Sequence, residues 1–125
     1  MTYDARFLGT ADALPIPSRD GLVTLDYTHF AVSMDTGRRL AAVTAVTIDG
    51  SDLRDVERED DWRLDPRLPA SQQAGPELYS GNDLDRGHLV RRRDPVWGED
   101  AERANADTFH YTVCAPQTAT LNQST

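Results

Sequence analysis

The chain has a single cysteine, Cys114, among 125 residues, so no intrachain disulfide can form and the redox compartment stays open. No apolar run approaches the roughly 18 residues of a membrane-spanning helix, and no membrane association is expected. The amino terminus, Met1-Thr2-Tyr3-Asp4-Ala5-Arg6, has an acid near its front and no apolar run behind it. It does not read as a secretory signal, and a reducing cytoplasm is slightly favoured. Positive charge is also scarce: 13 basic residues face 21 acidic ones, for a formal net charge of −8. A broad basic face of the kind that holds polyanions by long-range electrostatics is therefore not expected. Repeats and low-complexity tracts are absent as well, leaving one ordinary domain with 38% hydrophobic and 27% charged residues.

The charges that are present are not mixed evenly. Acids gather mid-chain at Asp52, Asp55, Glu57, Glu59, Asp60 and Asp61, whereas Arg86, Arg91, Arg92 and Arg93 crowd around His88. Residues 1–20, with Gly9, Pro15 and Pro17, read as an irregular lead-in, and 21–125 as the domain proper. The run Thr24 to Met34 is strand-like and Leu40 to Ile48 is β-rich; Asp35-Thr36-Gly37 between them has turn chemistry, which predicts an antiparallel hairpin. Asp52 to Asp61 lacks apolar periodicity and reads as an exposed loop. Trp62 to Gly81, with three prolines, reads as a long ordered loop. Glu99 to Asp107 is alanine-rich and acidic at its start, which favours a short helix. Thr108 to Cys114 is rich in β-branched and aromatic residues and reads as a strand ended by Ala115-Pro116-Gln117. The expected fold class is α+β on an antiparallel sheet core.

The chemistry concentrates in Asn82-Asp83-Leu84-Asp85-Arg86-Gly87-His88-Leu89. In an extended segment the period of two puts Arg86 and His88 on one face, with Gly87 between them allowing close approach. Histidine suits proton abstraction from water near neutrality, and the arginine fork suits phosphate oxygens. The pair describes phosphodiester hydrolysis, although a histidine beside an arginine is more often an ordinary surface pair.

The run Asp85-Arg86-Gly87-His88 is followed by Asp107-Thr108-Phe109, Ala115-Pro116-Gln117 and Leu121-Asn122-Gln123. Upstream stand Asp26-Tyr27-Thr28-His29-Phe30, the Arg38-Arg39 pair and Ile48-Asp49-Gly50. In order and spacing these blocks resemble the DNA/RNA non-specific endonucleases, the endonuclease G-like proteins of the ββα-metal type, over roughly residues 22–123. The resemblance implies Mg²⁺-dependent hydrolysis of DNA and RNA, with Mn²⁺ able to substitute, and no membrane partner. His88 is then the general base, Arg86 the stabiliser of the pentacovalent phosphate, and Asn122 the side chain holding a hydrated Mg²⁺. Asp85 is a supporting residue or a solvated turn acid, while Arg91, Arg92 and Arg93 are expected to bind nucleic acid. The family often uses a further upstream arginine, for which Arg58, Arg63 or Arg67 could serve with no choice among them, although Asp60 stands at the position that a simple alignment selects.

Two departures from the family pattern stand out. Val113 takes the place of a common asparagine, leaving Thr112 or a water to substitute. The sequence also ends three residues after Asn122, where the family continues with the metal-binding helix, so the ββα-metal motif is expected to be C-terminally incomplete and activity weak. The alternative reading is a catalytically degenerate nuclease fold acting as a nucleic-acid- or protein-binding module. A zinc site from Cys114, His110 and His88 has only three ligands and a cysteine in an apolar strand. His29 and His110 read as structural residues at partly exposed cross-strand positions, and Trp97 as a packing anchor rather than a base-stacking residue.

Overall fold

A computed structural model describes residues 1–9 and 12–118; Asn122 lies outside the described residues. Strands β1 (Leu22–Tyr27), β2 (Phe30–Asp35) and β3 (Leu40–Val46) form an antiparallel sheet in the order β1-β2-β3. Strands β4 (Leu84–His88) and β5 (Cys114–Thr118) form a separate antiparallel pair. Helix α1 (Pro76–Tyr79) precedes β4, and helix α2 (Ala101–Asp107) lies between β4 and β5. The α+β class and the antiparallel sheets are those expected.

The first hairpin departs from expectation. The segment expected as one strand, Thr24 to Met34, is broken by a two-residue turn at Thr28-His29, which pairs Tyr27 with Phe30. No glycine, proline or asparagine marks this turn; His29 itself adopts φ +66°. Tertiary contacts hold it there: its Nδ1 bonds to the Pro95 carbonyl at 2.8 Å, and its ring stacks on Trp97 with centroids 3.6 Å apart. The expected hairpin across Asp35-Thr36-Gly37 is present as β2-β3, with a register shift at Ser33/Met34.

β2 is the centre of the core, with all but its last residue buried. Phe30, Val32 and Met34 are fully buried beside Leu25, Tyr27, Val90 and Val113. Removing such side chains from water is the main stabilising contribution in a domain of this size. A polar knot sits at one side of this core. The Asp65 carboxylate, 1% exposed, accepts bonds from the Tyr27 hydroxyl and from the Arg67 backbone and guanidinium. Gln73 completes it by bridging the Asp65 backbone N–H and carbonyl. Burial would raise the Asp65 carboxyl, but the donors from Arg67 and Tyr27 prevail and hold it at about 2.

The second correction concerns Thr108 to Cys114. The segment is not a strand: Tyr111–Val113 forms a 3-10 turn, and the extended chain begins only at Cys114. Its β-branched and aromatic residues mark burial rather than extension, since every residue from Thr108 to Cys114 is buried. Pro116, expected to end the strand, lies inside β5 opposite Arg86. A two-stranded ribbon leaves one edge of each strand unpaired, where a residue without an N–H can be carried.

His29 and His110 are buried rather than partly exposed, at 3% and 9%. Trp97 is a packing anchor, donating from its indole N–H to the Thr47 carbonyl. Residues 1–9 contain no helix or strand, yet backbone bonds from His29 to Met1 and from Asp4 to Thr47 Oγ1 tie them to the sheet.

Candidate active site

β4 carries the run Leu84-Asp85-Arg86-Gly87-His88 as an extended segment, so Arg86 and His88 do share a face. Gly87 lies between them against β5, with the side chain of Gln117 laid across it. A Cβ at Gly87 would come within 2.1 Å of the Gln117 amide carbon, so only glycine fits without moving that side chain.

A short parallel bridge brings the next element to β4. Arg63 N–H bonds to the Phe109 carbonyl and Tyr111 N–H to the Arg63 carbonyl, which fixes Trp62 alongside Phe109 and Tyr111. The indole of Trp62 then packs against the His88 ring with centroids 5.0 Å apart and edge-on against Phe109 at 5.2 Å. The Arg86 guanidinium stands 5.3 Å over the same indole. Trp62 was missing from the residues singled out by sequence; a tryptophan inside an otherwise polar, acidic stretch was the available signal.

The acidic loop is pinned as well. Arg92 donates to the Val56 carbonyl and to Asn105 Oδ1, and Asn105 in turn donates to the Glu57 carbonyl. These bonds place Arg58, the next residue, over the face of Phe109 at 5.4 Å and close enough to His88 to act on it electrostatically. Of the three upstream arginines left open by sequence, Arg58 is the one brought to the site. Arg63 is bound to the Asp61 and Ala106 carbonyls, and Arg67 belongs to the Asp65 knot.

The result is an open cleft of about 490 Å³ whose walls include Arg58, Asp60, Trp62, Tyr79, Asp85 and Arg86. Arg58 is paired with Asp60 at 2.6 Å, both half-exposed, an arrangement that is weak in water and open to exchange for an anionic ligand. Arg91 and Arg93 are largely exposed, with partners Asp94 and Asp55 at 3.2 and 3.7 Å. Arg92 is half-buried, with Nη1 bonded to the Val56 carbonyl and Asn105 Oδ1. Val113 fills the core, and Thr112 bonds to Tyr27, so neither reaches the cleft.

His88 sits behind the cleft wall. Its Nε2 is buried and has no hydrogen-bond partner among the described residues. Burial, with the nearby positive charges of Arg58 and Arg92, pushes its pKa down to about 4, so the imidazole is neutral across the physiological range. That depression has a consequence for stability. Between about pH 6.5 and 4 the unfolded chain binds a proton that folded His88 refuses, so stability falls as pH drops through this window. Buried His110, also lowered, adds to the slope in the same direction. Asp65 acts only below it, because its carboxylate contribution is lost as pH falls from about 4 toward 2. Urea midpoints measured from pH 7 to pH 4 are expected to decline steadily, and less steeply in His88→Gln; a flat profile would contradict the buried neutral imidazole.

Cys114, paired across the ribbon from His88, has its thiol between the Tyr79 hydroxyl and the Tyr111 carbonyl; burial raises its pKa to about 11. It is an inert thiol rather than a nucleophile or ligand. Among the described residues, no three His, Cys, Asp or Glu side chains converge on one point that could hold a metal, and no helix is long and apolar enough to cross a membrane.

Comparison with known proteins gives the constellation a context. Residues 9–125 match the family described as DNA/RNA non-specific endonuclease. The chain is 49% identical over 110 residues to the uncharacterized protein y4fB of Sinorhizobium fredii, covering 79% of this chain and 17% of that protein. It is 34% identical over 98 residues to a nuclease of a Nostoc species, covering 78% and 35%. It is 37% identical over 67 residues to human mitochondrial endonuclease G, covering 54% and 22%. The chain thus spans about a third or less of the length of each of these relatives.

Proposed function

Because this chain belongs to the DNA/RNA non-specific endonuclease family, we propose that it hydrolyses phosphodiester bonds in both DNA and RNA at the cleft lined by Arg86, with His88 behind its wall. The observation that carries this reading is the shared face of β4, which sets a neutral imidazole two residues from a guanidinium that lines an open cleft. In this scheme His88 removes a proton from the attacking water. Arg86 forks onto the non-bridging oxygens and stabilises the extra negative charge of the pentacovalent state. Arg58, released from Asp60, supplies the second positive charge. Since these groups read the backbone and not base edges, selectivity for sequence is low.

Mg²⁺, with Mn²⁺ able to substitute, remains the cofactor implied by resemblance, and Asn122 its proposed ligand. The steps above are those of the chain's own side chains; Mg²⁺ held through Asn122 would add positive charge at the phosphate. Incubation of supercoiled plasmid and of structured RNA with the protein and Mg²⁺ tests the reading. Cleavage of both is expected, with loss of activity in EDTA and recovery on restoring Mg²⁺ or Mn²⁺. Binding to either polymer without cleavage under all these conditions would favour the degenerate binding module instead.

A further inference from the structure

The cleft combines charged and aromatic surface. Arg58 and Arg86 are its cations and Asp60 and Asp85 its carboxylates; beside them runs a row of rings, Trp62, Tyr111 and Tyr79, with successive centroids 5.9 and 6.0 Å apart. Trp62 and Tyr79 are half-buried and present ring surface to the cleft, whereas the tyrosine hydroxyl of Tyr79 is turned onto the Cys114 thiol at 3.4 Å. Trp62 supports His88 and Arg86, but a hydrated anion itself gains nothing from the ring surface exposed in the cleft. The Arg86 guanidinium stands 5.3 Å over the Trp62 indole and lines the same cleft as Tyr79. A phosphate gripped by Arg86 therefore lies in a cleft that also carries the Trp62 and Tyr79 rings.

We propose that the half-buried Trp62 and Tyr79 rings, backed by buried Tyr111, stack an unpaired nucleobase near the phosphate held by Arg86, making single-stranded stretches of DNA or RNA the preferred substrate. The inference rests on the nuclease reading above and names its substrate class. The cleft volume of about 490 Å³ falls within the range of about 300–1,000 Å³ typical of small-molecule sites. Base–aromatic stacking tolerates every base, because each has a flat π face, and so is compatible with low sequence selectivity. A base within a duplex is already stacked and paired; it must leave the helix before it can reach this wall.

The test compares equilibrium binding of 2′-deoxyadenosine 5′-monophosphate with that of 2-deoxyribose 5-phosphate, which carries the same phosphate without a base. The nucleotide is expected to bind on the order of tenfold tighter, with quenching of Trp62 fluorescence, and Tyr79→Leu to narrow that ratio. Equal affinities for the two ligands, or no nucleotide binding, would overturn the proposal; this comparison uses the unaltered chain and does not depend on any variant folding. In parallel, a single-stranded oligonucleotide is expected to be cleaved on the order of tenfold faster than the same sequence in a duplex; equal rates would also overturn it. If no substrate is cleaved, the nuclease reading fails, while the two binding constants still decide whether the wall takes a base.

Discussion

Replacing His88 with alanine is expected to lower phosphodiester cleavage on the order of 10²–10⁴-fold, the usual contribution of a positioned general base, while unfolding stays cooperative. Among the described residues Nε2 has no hydrogen-bond partner, so removal of the side chain deletes a buried unsatisfied polar atom together with ring contacts to Trp62 and Phe109. These stability effects oppose each other, whereas the loss of the base is uncompensated. The pH dependence gives a second signature. The acid limb of kcat/KM reports the free protein, so it is expected below the ordinary histidine value of 6.5, toward about 4. The limb of kcat is expected higher, because a phosphodiester anion bound beside Arg86 favours the imidazolium. Cleavage that survives His88→Ala unchanged would remove His88 from the mechanism.

Phe109→Ala is expected to destabilise the fold by about 3–5 kcal/mol, the range for truncating a fully buried aromatic residue. Phe109 is 0% exposed, and it supports the site directly: its edge and face meet Trp62, His88 and the Arg58 guanidinium. Against a total of roughly 5–15 kcal/mol for a typical domain, that is a large fraction. Phe109→Leu keeps most of the volume and is expected to cost well under half as much. Urea unfolding of the two variants measures both values. If Phe109→Ala shifts stability by less than about 0.5 kcal/mol, comparable to an ordinary surface change, the ring is not the support described.

Much of the site was legible because it is local. Arg86 and His88 are two residues apart in a strand, so a single periodicity places them together without any knowledge of the rest of the fold. The β2-β3 hairpin and α2 were legible for the same reason, from Asp35-Thr36-Gly37 and from the alanine-rich segment at 101–107. Where burial imitates a local preference, sequence misleads. Tyr111, Thr112 and Val113 look like strand residues because they are β-branched or aromatic, but they fill buried space, Thr112 against Tyr27, Val113 in the core and Tyr111 against Trp62 and Tyr79, and the backbone there turns. The turn at Thr28-His29 left no mark because its unusual backbone conformation is held by Pro95 and Trp97, nearly seventy residues away.

By itself, the sequence determined the antiparallel α+β character, the family and the Arg86–His88 pair, all of which follow from periodicity, turn chemistry and closely spaced motifs. Tertiary structure alone decided which arginine joins them: Arg58 over Arg63 or Arg67, through the Arg92–Asn105 staple of the acidic loop. It also decided that Trp62 packs against His88 and that Arg92 bonds the acidic loop. The physical reason is the same in each case. These side chains are identical in type and similar in sequence neighbourhood, and only contacts between segments far apart in the chain separate a guanidinium spent on carbonyls from one left facing a cleft.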